Sequence, residues 1–415
     1  MTRRQRVRQA LSFQPTDRPP ADLGSTRVTG IAAWNLRSLR QALGLSGGQD
    51  VRVYDLSQFL AEVDSDLLDA LGCDFCLLPL QVLPLELPRA GWKPFTFWDG
   101  QTFLVPDSFH PAAQPDGTLL HGHGHPWPTV ERRMPSGCRY FERTRPGEID
   151  SADFQIPHVA ERDWRLPQSF PADFLRREQD AARALSAATD RALVSSGALG
   201  VPIGYGGLIG WAMKMREDPG HAQARLFAEA EAYARRIGPY LQAVGDYIDV
   251  LVLSTHDFGT QRGPLFDPAL FAQHFVPAWR LLTGAIHAAR PGLKLFLHSC
   301  GSVRGLIPHF IAAGIDILNP VQWSSEQMDR GELAREFGGR IVFWGGAAHN
   351  QRTLPFGSPE EVRAEVRESV RLFTDGGRRG GYVLAPIHNL QADVPAENVL
   401  ALFGALTPEF ANPGG

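Results

Sequence analysis

The feature that most constrains the fold of this chain is a regular alternation of short apolar runs with amphipathic helical segments. The runs span three to five residues, contain many Val, Ile, Leu and Phe side chains, and resemble buried strands. Eight of them are predicted, at residues 21–24, 74–78, 192–196, 250–254, 293–297, 316–318, 340–344 and 381–385. Eight strands that alternate with helices predict an α/β fold of the (β/α)8 TIM-barrel class.

One long segment interrupts this alternation. Residues 79–167 follow the second predicted strand, are rich in proline, glycine and aromatic residues, and have no helical period. Two extended runs flank Asp99-Gly100, a dipeptide typical of a hairpin turn. We therefore predict one domain over residues 1–415, with residues 79–167 as a β-hairpin-containing, β-rich insertion. Its aromatic side chains either pack internally or line the mouth of the barrel: Phe95, Phe97, Trp98 and Phe103.

Composition narrows the classes of partner and compartment. The net charge of -4 and the lack of long basic or acidic runs do not indicate a nucleic acid or a membrane surface as partner. Four cysteines in 415 residues do not make a disulfide framework, which indicates a reducing compartment. The basic N-terminus is not followed by an apolar signal core, and no apolar run approaches the roughly 20 residues of a membrane span. We expect a cytoplasmic protein.

Polar side chains with catalytic or ligating chemistry follow the last five predicted strands. Because the active sites of TIM barrels lie at the carboxyl ends of the strands, we expect these side chains to open onto one cavity. They are His256 and Asp257 after the fourth strand, His298 and Cys300 after the fifth, Gln322 after the sixth, His349 after the seventh and His388 after the eighth.

The pair His298 and Cys300 is the most informative of these. Side chains two apart in an extended segment point the same way, so an imidazole and a thiol can converge on one point. This donor pair suits zinc, and a catalytic zinc needs only one more protein ligand, which leaves a position for substrate or water. The alternative interpretation is a buried core cysteine beside a hydrogen-bonded histidine.

Several blocks of the sequence resemble the uroporphyrinogen decarboxylase (URO-D) superfamily, and especially its branch of cobalamin-dependent methyltransferases. The resemblance extends over nearly the whole chain. The blocks are RVRQAL at 6–11, DFGTQRGP at 257–264, HSCGSV at 298–303, DILNPVQ at 316–322, TLPFG at 353–357, and HN at 388–389 with Pro395 and Asn398.

The resemblance implies a reaction and a set of zinc ligands. The methyltransferase branch binds zinc through a His-x-Cys and a later cysteine; here the pair is His298 and Cys300, and His388 stands where the later cysteine would fall. This departure is chemically sound because histidine also binds zinc. The implied function is zinc-dependent transfer of a methyl group between a small O- or S-methyl substrate and a separate corrinoid protein. A homodimer is implied by the resemblance alone.

Other readings stay open. Asp257 is predicted as a fourth ligand, an orienting group or a proton acceptor, and Gln322 is a further catalytic candidate. His256 and His349 are either acid–base groups or hydrogen-bonded loop histidines.

A metal-independent decarboxylase of a small acid or a porphyrinogen, with Asp257 as acid–base, is the enzymatic alternative. The porphyrinogen is disfavoured because residues 21–27 carry one arginine in place of the decarboxylases' arginine-rich motif. A non-catalytic binding protein is the third possible function.

Overall fold

The chain folds as a curled sheet of parallel strands surrounded by helices, as the alternation predicts. The computed structural model describes residues 1–46, 50–83, 87–89, 91–123, 129–143, 169–202, 208–254 and 257–406. The strands are β1 (Val53–Asp55), β2 (Leu60–Ala61), β3 (Phe75–Leu77), β4 (Val82–Leu83), β5 (Leu87–Pro88), β6 (Trp92–Thr96), β7 (Thr102–Pro106), β8 (Ala112–Ala113), β9 (Leu119–His123), β10 (Thr129–Met134), β11 (Glu142–Arg143), β12 (Ala192–Gly200), β13 (Val250–Ser254), β14 (Lys294–His298), β15 (Ile317–Asn319), β16 (Val342–Trp344) and β17 (Tyr382–Val383).

The helices follow the barrel strands or flank the insertion, and many begin at a side-chain cap. They are α1 (Arg3–Ala10), α2 (Ala33–Ala42), α3 (Ser65–Ala70), α4 (Ala172–Ala188), α5 (Leu208–Glu217), α6 (Pro219–Val244), α7 (Pro268–Ala289), α8 (Ile307–Ala312), α9 (Arg330–Phe337), α10 (Thr353–Phe356), α11 (Pro359–Phe373) and α12 (Ala396–Gly404). The side chains of Thr2, Asp218, Asp267, Asp329 and Ser358 each accept a backbone N–H of the first turn. None of the helices in the described ranges is long and apolar enough to cross a membrane.

Seven strands form the parallel sheet, in the order β3-β12-β13-β14-β15-β16-β17. The first predicted strand supplies only a single bridge, in which Ala21 pairs in parallel with Leu384 next to β17. The carbonyl of Ala21 also accepts the N–H of Asp74 at 2.8 Å, so this short segment joins the two ends of the sheet. It turns away at Gly24, whose φ of +79° is a conformation that glycine adopts readily.

The inside of the barrel is filled by alternate residues of the strands. Phe296 of β14, Ile317 of β15 and Val342 of β16 belong to one buried apolar cluster, which Val7 and Leu11 of the α1 region join from below. Because side chains alternate between the two faces, the residue two positions after each inward residue faces the same interior near the barrel mouth. This period places the end of β14 at the barrel mouth.

The insertion is built from β4 to β11 as far as it is described; residues 84–86, 90, 124–128 and 144–167 of it lie outside the described ranges. β6 and β7 form the hairpin predicted around Asp99-Gly100. Phe97 and Phe103 are buried and pack against Trp34 of α2, so these two rings pack internally. Trp98 is 43% exposed.

Candidate metal centre

The three predicted metal ligands come together at the mouth of the barrel. The ligand atoms of His298, Cys300 and His388 all lie within 4.8 Å of one another, and all three residues are partly buried. Cys300 Sγ lies 3.4 Å from His298 Nε2, and the two imidazole rings are 5.5 Å apart between centroids. Tetrahedral zinc with ordinary bond lengths sets neighbouring donors about 3.4 to 3.6 Å apart. The donor set and its spacing therefore fit a zinc ion with small side-chain adjustments.

Local backbone geometry explains why Cys300 lies over the mouth. His298 ends β14 two residues after the buried Phe296 and continues its inward face. Gly301 then turns the chain with a φ of +86°, and a Cβ added there would lie 2.5 Å from the backbone carbon of Gly259. The two loop backbones thus touch, which only glycines at these positions permit.

His388 reaches the site from the other side of the barrel. The segment around it is held by the chain that follows the first strand: Leu390 donates its N–H to the carbonyl of Gly30, and Ala32 donates to Leu390, both at 2.8 Å. These backbone bonds fix the stretch after β17 beside the barrel mouth. Two segments 90 residues apart in sequence thereby present their ligating atoms to one point.

The protonation of His298 is set by its neighbour on β15. His298 Nδ1 lies 2.6 Å from Asn319 Oδ1, and Asn319 Nδ2 donates to the carbonyl of Trp344 at 2.9 Å. Because the amide nitrogen of Asn319 donates to that carbonyl, the amide oxygen must be the acceptor in the contact with His298. Nδ1 of His298 must therefore carry the proton and donate it. The lone pair of Nε2 then faces Cys300, which is the orientation that a metal ligand requires.

Asp257 and Gln322 hold the loop that carries Cys300. Asp257 Oδ1 accepts the N–H of Cys300 at 2.8 Å and lies 3.5 Å from His298 Nε2. Gln322 Oε1 accepts the N–H of Gly301 at 2.8 Å. The Asp257 side chain is 53% exposed, so it can meet both the loop and a bound molecule.

Burial controls the charges of the three candidate ligands. It lowers the pKa of His298, and a charge on His388 would lower it further, whereas Asp257 acts in the opposite direction. Burial also lowers the pKa of His388. The pKa of the Cys300 thiol is raised, chiefly by burial and then by Asp257. At neutral pH the imidazoles are therefore neutral, which is their ligating form, while the thiol loses its proton only when a cation compensates the charge.

The remaining predicted site residues are placed differently. The ring of His349 packs edge-on against Trp323 with 5.2 Å between centroids, and the backbone N–H of His349 donates to the carboxylate of Glu365. These contacts do not include the three candidate ligands. His256 lies outside the described residues.

From the sequence alone, no role was assigned to two buried polar residues of the barrel, Asn319 and Asp22. Asn319 directly follows the predicted strand at 316–318, and that position was the available signal; its pairing with His298 comes from the register of β14 and β15 in the structure. Asp22 is fully buried after the first strand and accepts from Trp344 Nε1 at 3.0 Å; burial raises the pKa of its carboxyl. Its signal was a carboxylate inside the predicted buried strand at 21–24.

Fold and site together define a TIM-barrel protein whose candidate site lies at the carboxyl ends of the strands. Residues 218–407 match the family model of uroporphyrinogen decarboxylase (URO-D). This part of the chain is therefore a URO-D domain, and it contains all of the quoted sequence blocks except the one at 6–11. The superfamily resemblance drawn from those blocks is confirmed.

Solved structures with the same architecture include a methyltransferase from Methanosarcina mazei. It is 15% identical to this chain, the match covers 98% of each chain, and the TM-score is 0.54. The Ignisphaera aggregans GH53 catalytic domain is 13% identical, with 93% of this chain and 98% of that chain covered and a TM-score of 0.36. Comparison with curated proteins finds no match. The first likeness supports the fold.

Proposed function

We propose that this protein is a zinc-dependent methyltransferase that moves a methyl group between a small O- or S-methyl substrate and a separate corrinoid protein. The observation that carries the proposal is the convergence of His298, Cys300 and His388 within 4.8 Å at the barrel mouth. The URO-D domain and the likeness to a methyltransferase support it.

The three side chains would hold the ion and leave one position open. His298 and His388 would supply neutral nitrogens, and Cys300 would supply a thiolate. When bound, zinc would act as a Lewis acid on the methylated oxygen or sulfur and stabilise the charge that develops on the leaving group. A site with two imidazoles and one thiolate is less electron-rich than a two-thiolate site, which favours activation of an oxygen over activation of a thiol.

Asp257 would handle the proton of the reacting group. It is half-exposed and lies 3.5 Å from His298 Nε2, so its free oxygen can face a molecule in the open position. In the direction that forms the methylated compound, the carboxylate would accept the proton of the acceptor hydroxyl or thiol. Gln322 would keep the Cys300 loop in place through Gly301.

Metal analysis tests the zinc site directly. Purified protein should contain one zinc per chain, and Cys300→Ala and His388→Ala should each lose it. His349→Ala is the matched control, because its ring packs on Trp323 and His349 is not among the three candidate ligands, and it should keep the metal. Zinc retained by both ligand variants, or full activity of zinc-free protein as a decarboxylase, would remove the proposal.

The reaction can be tested with free cobalamin in place of the unidentified corrinoid partner. Reduced cobalamin and a panel of methyl ethers and thioethers should give methylcobalamin, followed by its absorbance, only with zinc-loaded protein. Asp257→Asn should slow the reverse transfer to an alcohol by about 10²-fold or more while leaving zinc content unchanged. Methylcobalamin formation that persists in Cys300→Ala would contradict the role of the metal.

A further inference from the structure

Asn319 is fully buried at the end of β15, so neither substrate nor solvent reaches it. It pairs in register with His298, the last residue of β14. The amide oxygen lies 2.6 Å from His298 Nδ1, and the amide nitrogen donates to the carbonyl of Trp344 at 2.9 Å. Both ends of this side chain are thus engaged, one with a candidate ligand and the other with the backbone of the next strand.

We propose that Asn319 is the positioning residue of the metal centre: it fixes the tautomer and ring orientation of His298 and so presents Nε2 to the ion. This inference rests on the zinc site of the proposed function. Asn319 touches no reacting atom and acts only through His298.

The Trp344 carbonyl fixes which end of the Asn319 amide faces His298. If the amide rotated by 180°, its oxygen would face that carbonyl oxygen and its NH2 group would face Nδ1, so two acceptors would meet. The pinned amide therefore allows only an N–H at His298 Nδ1. The amide supplies both an acceptor and a donor, whereas an aliphatic side chain supplies neither group.

Space for the amide depends on the next strand end. Gly345 has a φ of +92°, and a Cβ added there would lie 3.3 Å from Asn319 Nδ2 and 2.7 Å from the carbonyl oxygen of Pro386. The absence of a side chain at this position leaves the amide in line with Trp344. The ends of β14, β15 and β16 thereby form one hydrogen-bonded series that leads to the metal ligand.

The decisive variant is Asn319→Leu, which keeps the branched shape of the side chain and removes both hydrogen bonds. Its zinc dissociation constant, measured by competition with a chelator, should rise about 10- to 100-fold. Asn398→Leu is the matched control, because Asn398 is also a buried asparagine, and its amide donates to the carbonyls of Leu354 and Gly357 and not to a candidate ligand. It should lose stability yet keep its zinc dissociation constant within about threefold. An unchanged constant in folded Asn319→Leu overturns the inference.

A second measurement needs neither zinc nor a variant of Asn319. Long-range proton–nitrogen correlation spectra of metal-free protein labelled at histidine report which ring nitrogen carries the proton, and the His298 signals are those absent from His298→Ala. We expect the proton on Nδ1 in the native protein; a proton on Nε2 overturns the inference. If native protein shows the Nδ1 proton but binds no zinc, the proposed function fails and the assignment of Asn319 to the His298 tautomer stands.

Discussion

At the scale of single residues, the site is governed by how burial sets proton occupancy. His298 and His388 both have pKa values lowered by burial, so they offer lone pairs at neutral pH without losing a proton. Cys300 differs, because burial and Asp257 raise the pKa of its thiol. A metal ion bound by all three would therefore have to displace the thiol proton of Cys300 itself.

Zinc binding is thus expected to release about one proton per chain above about pH 6.5, and that proton comes from Cys300. The metal-free protein holds this proton and the zinc-bound protein does not, so zinc affinity should rise with pH, by about tenfold per pH unit. Calorimetric titration in buffers of different ionisation enthalpy measures the number of protons released per zinc bound. A value near zero would mean that Cys300 is not a ligand.

Gly301→Ala tests the backbone turn that aims Cys300. The added Cβ must adopt a φ of +86° and would lie 2.5 Å from the backbone of Gly259. Gly339→Ala is the matched control, since Gly339 has a φ of +82° and no atom within 4 Å of its added Cβ. Both variants should lose about 1–2 kcal/mol of unfolding free energy from the backbone conformation. Only Gly301→Ala should also lose zinc affinity; an equal zinc affinity in both would contradict the role of the turn.

At the scale of elements, α1 closes the bottom of the barrel and is tied to β3 by charge. Asp74, just before β3, is fully buried and accepts from Arg6 of α1 at 2.6 Å and from Arg18 at 2.7 Å. It also accepts the N–H of Ala21, the residue that joins the two ends of the sheet. The Asp74 carboxylate therefore holds α1, the segment at Ala21 and β3 together.

Asp74→Ala is expected to lower the free energy of unfolding by about 3–5 kcal/mol, because it leaves two guanidinium groups without their buried partner. Asp180→Ala, which removes an exposed ion pair with Arg183, should cost under ~1 kcal/mol. Denaturant unfolding of both variants measures the difference. A cost for Asp74→Ala no larger than that for Asp180→Ala would mean that the barrel closes without this carboxylate.

Comparison of the predicted strands with the observed ones shows which features of the fold the sequence can predict. The strand at 293–297 was found one residue later, as Lys294–His298, because its apolar run is a local signal that periodicity captures. The strand at 21–24 shrank to one bridge, since its closure depends on Leu384 and Asp74, which are distant in the chain. The pair His298 and Cys300 was predictable from a spacing of two, whereas the role of Asn319 depends on the register between β14 and β15 and on a carbonyl of β16.

At the scale of the whole molecule, the candidate site joins strand ends that are not neighbours. His298 ends β14, Cys300 follows it by two residues, and His388 follows β17, with β15 and β16 between the two strands in the sheet. An ion held by all three would therefore link the ends of two strands that are not paired with each other in the sheet. Metal binding should then raise the free energy of unfolding of the entire barrel.

We expect zinc to stabilise the native protein by about 2.7 kcal/mol when free zinc is 100 times its dissociation constant, because the unfolded chain does not hold the three donors together. Scanning calorimetry with and without a chelator should therefore show a higher unfolding temperature for the zinc-loaded protein. Cys300→Ala should unfold at one temperature under both conditions, and His349→Ala should respond as the native protein does. An equal zinc response in Cys300→Ala would show that the ion binds elsewhere, and the link between β14 and β17 would then have no role in stability.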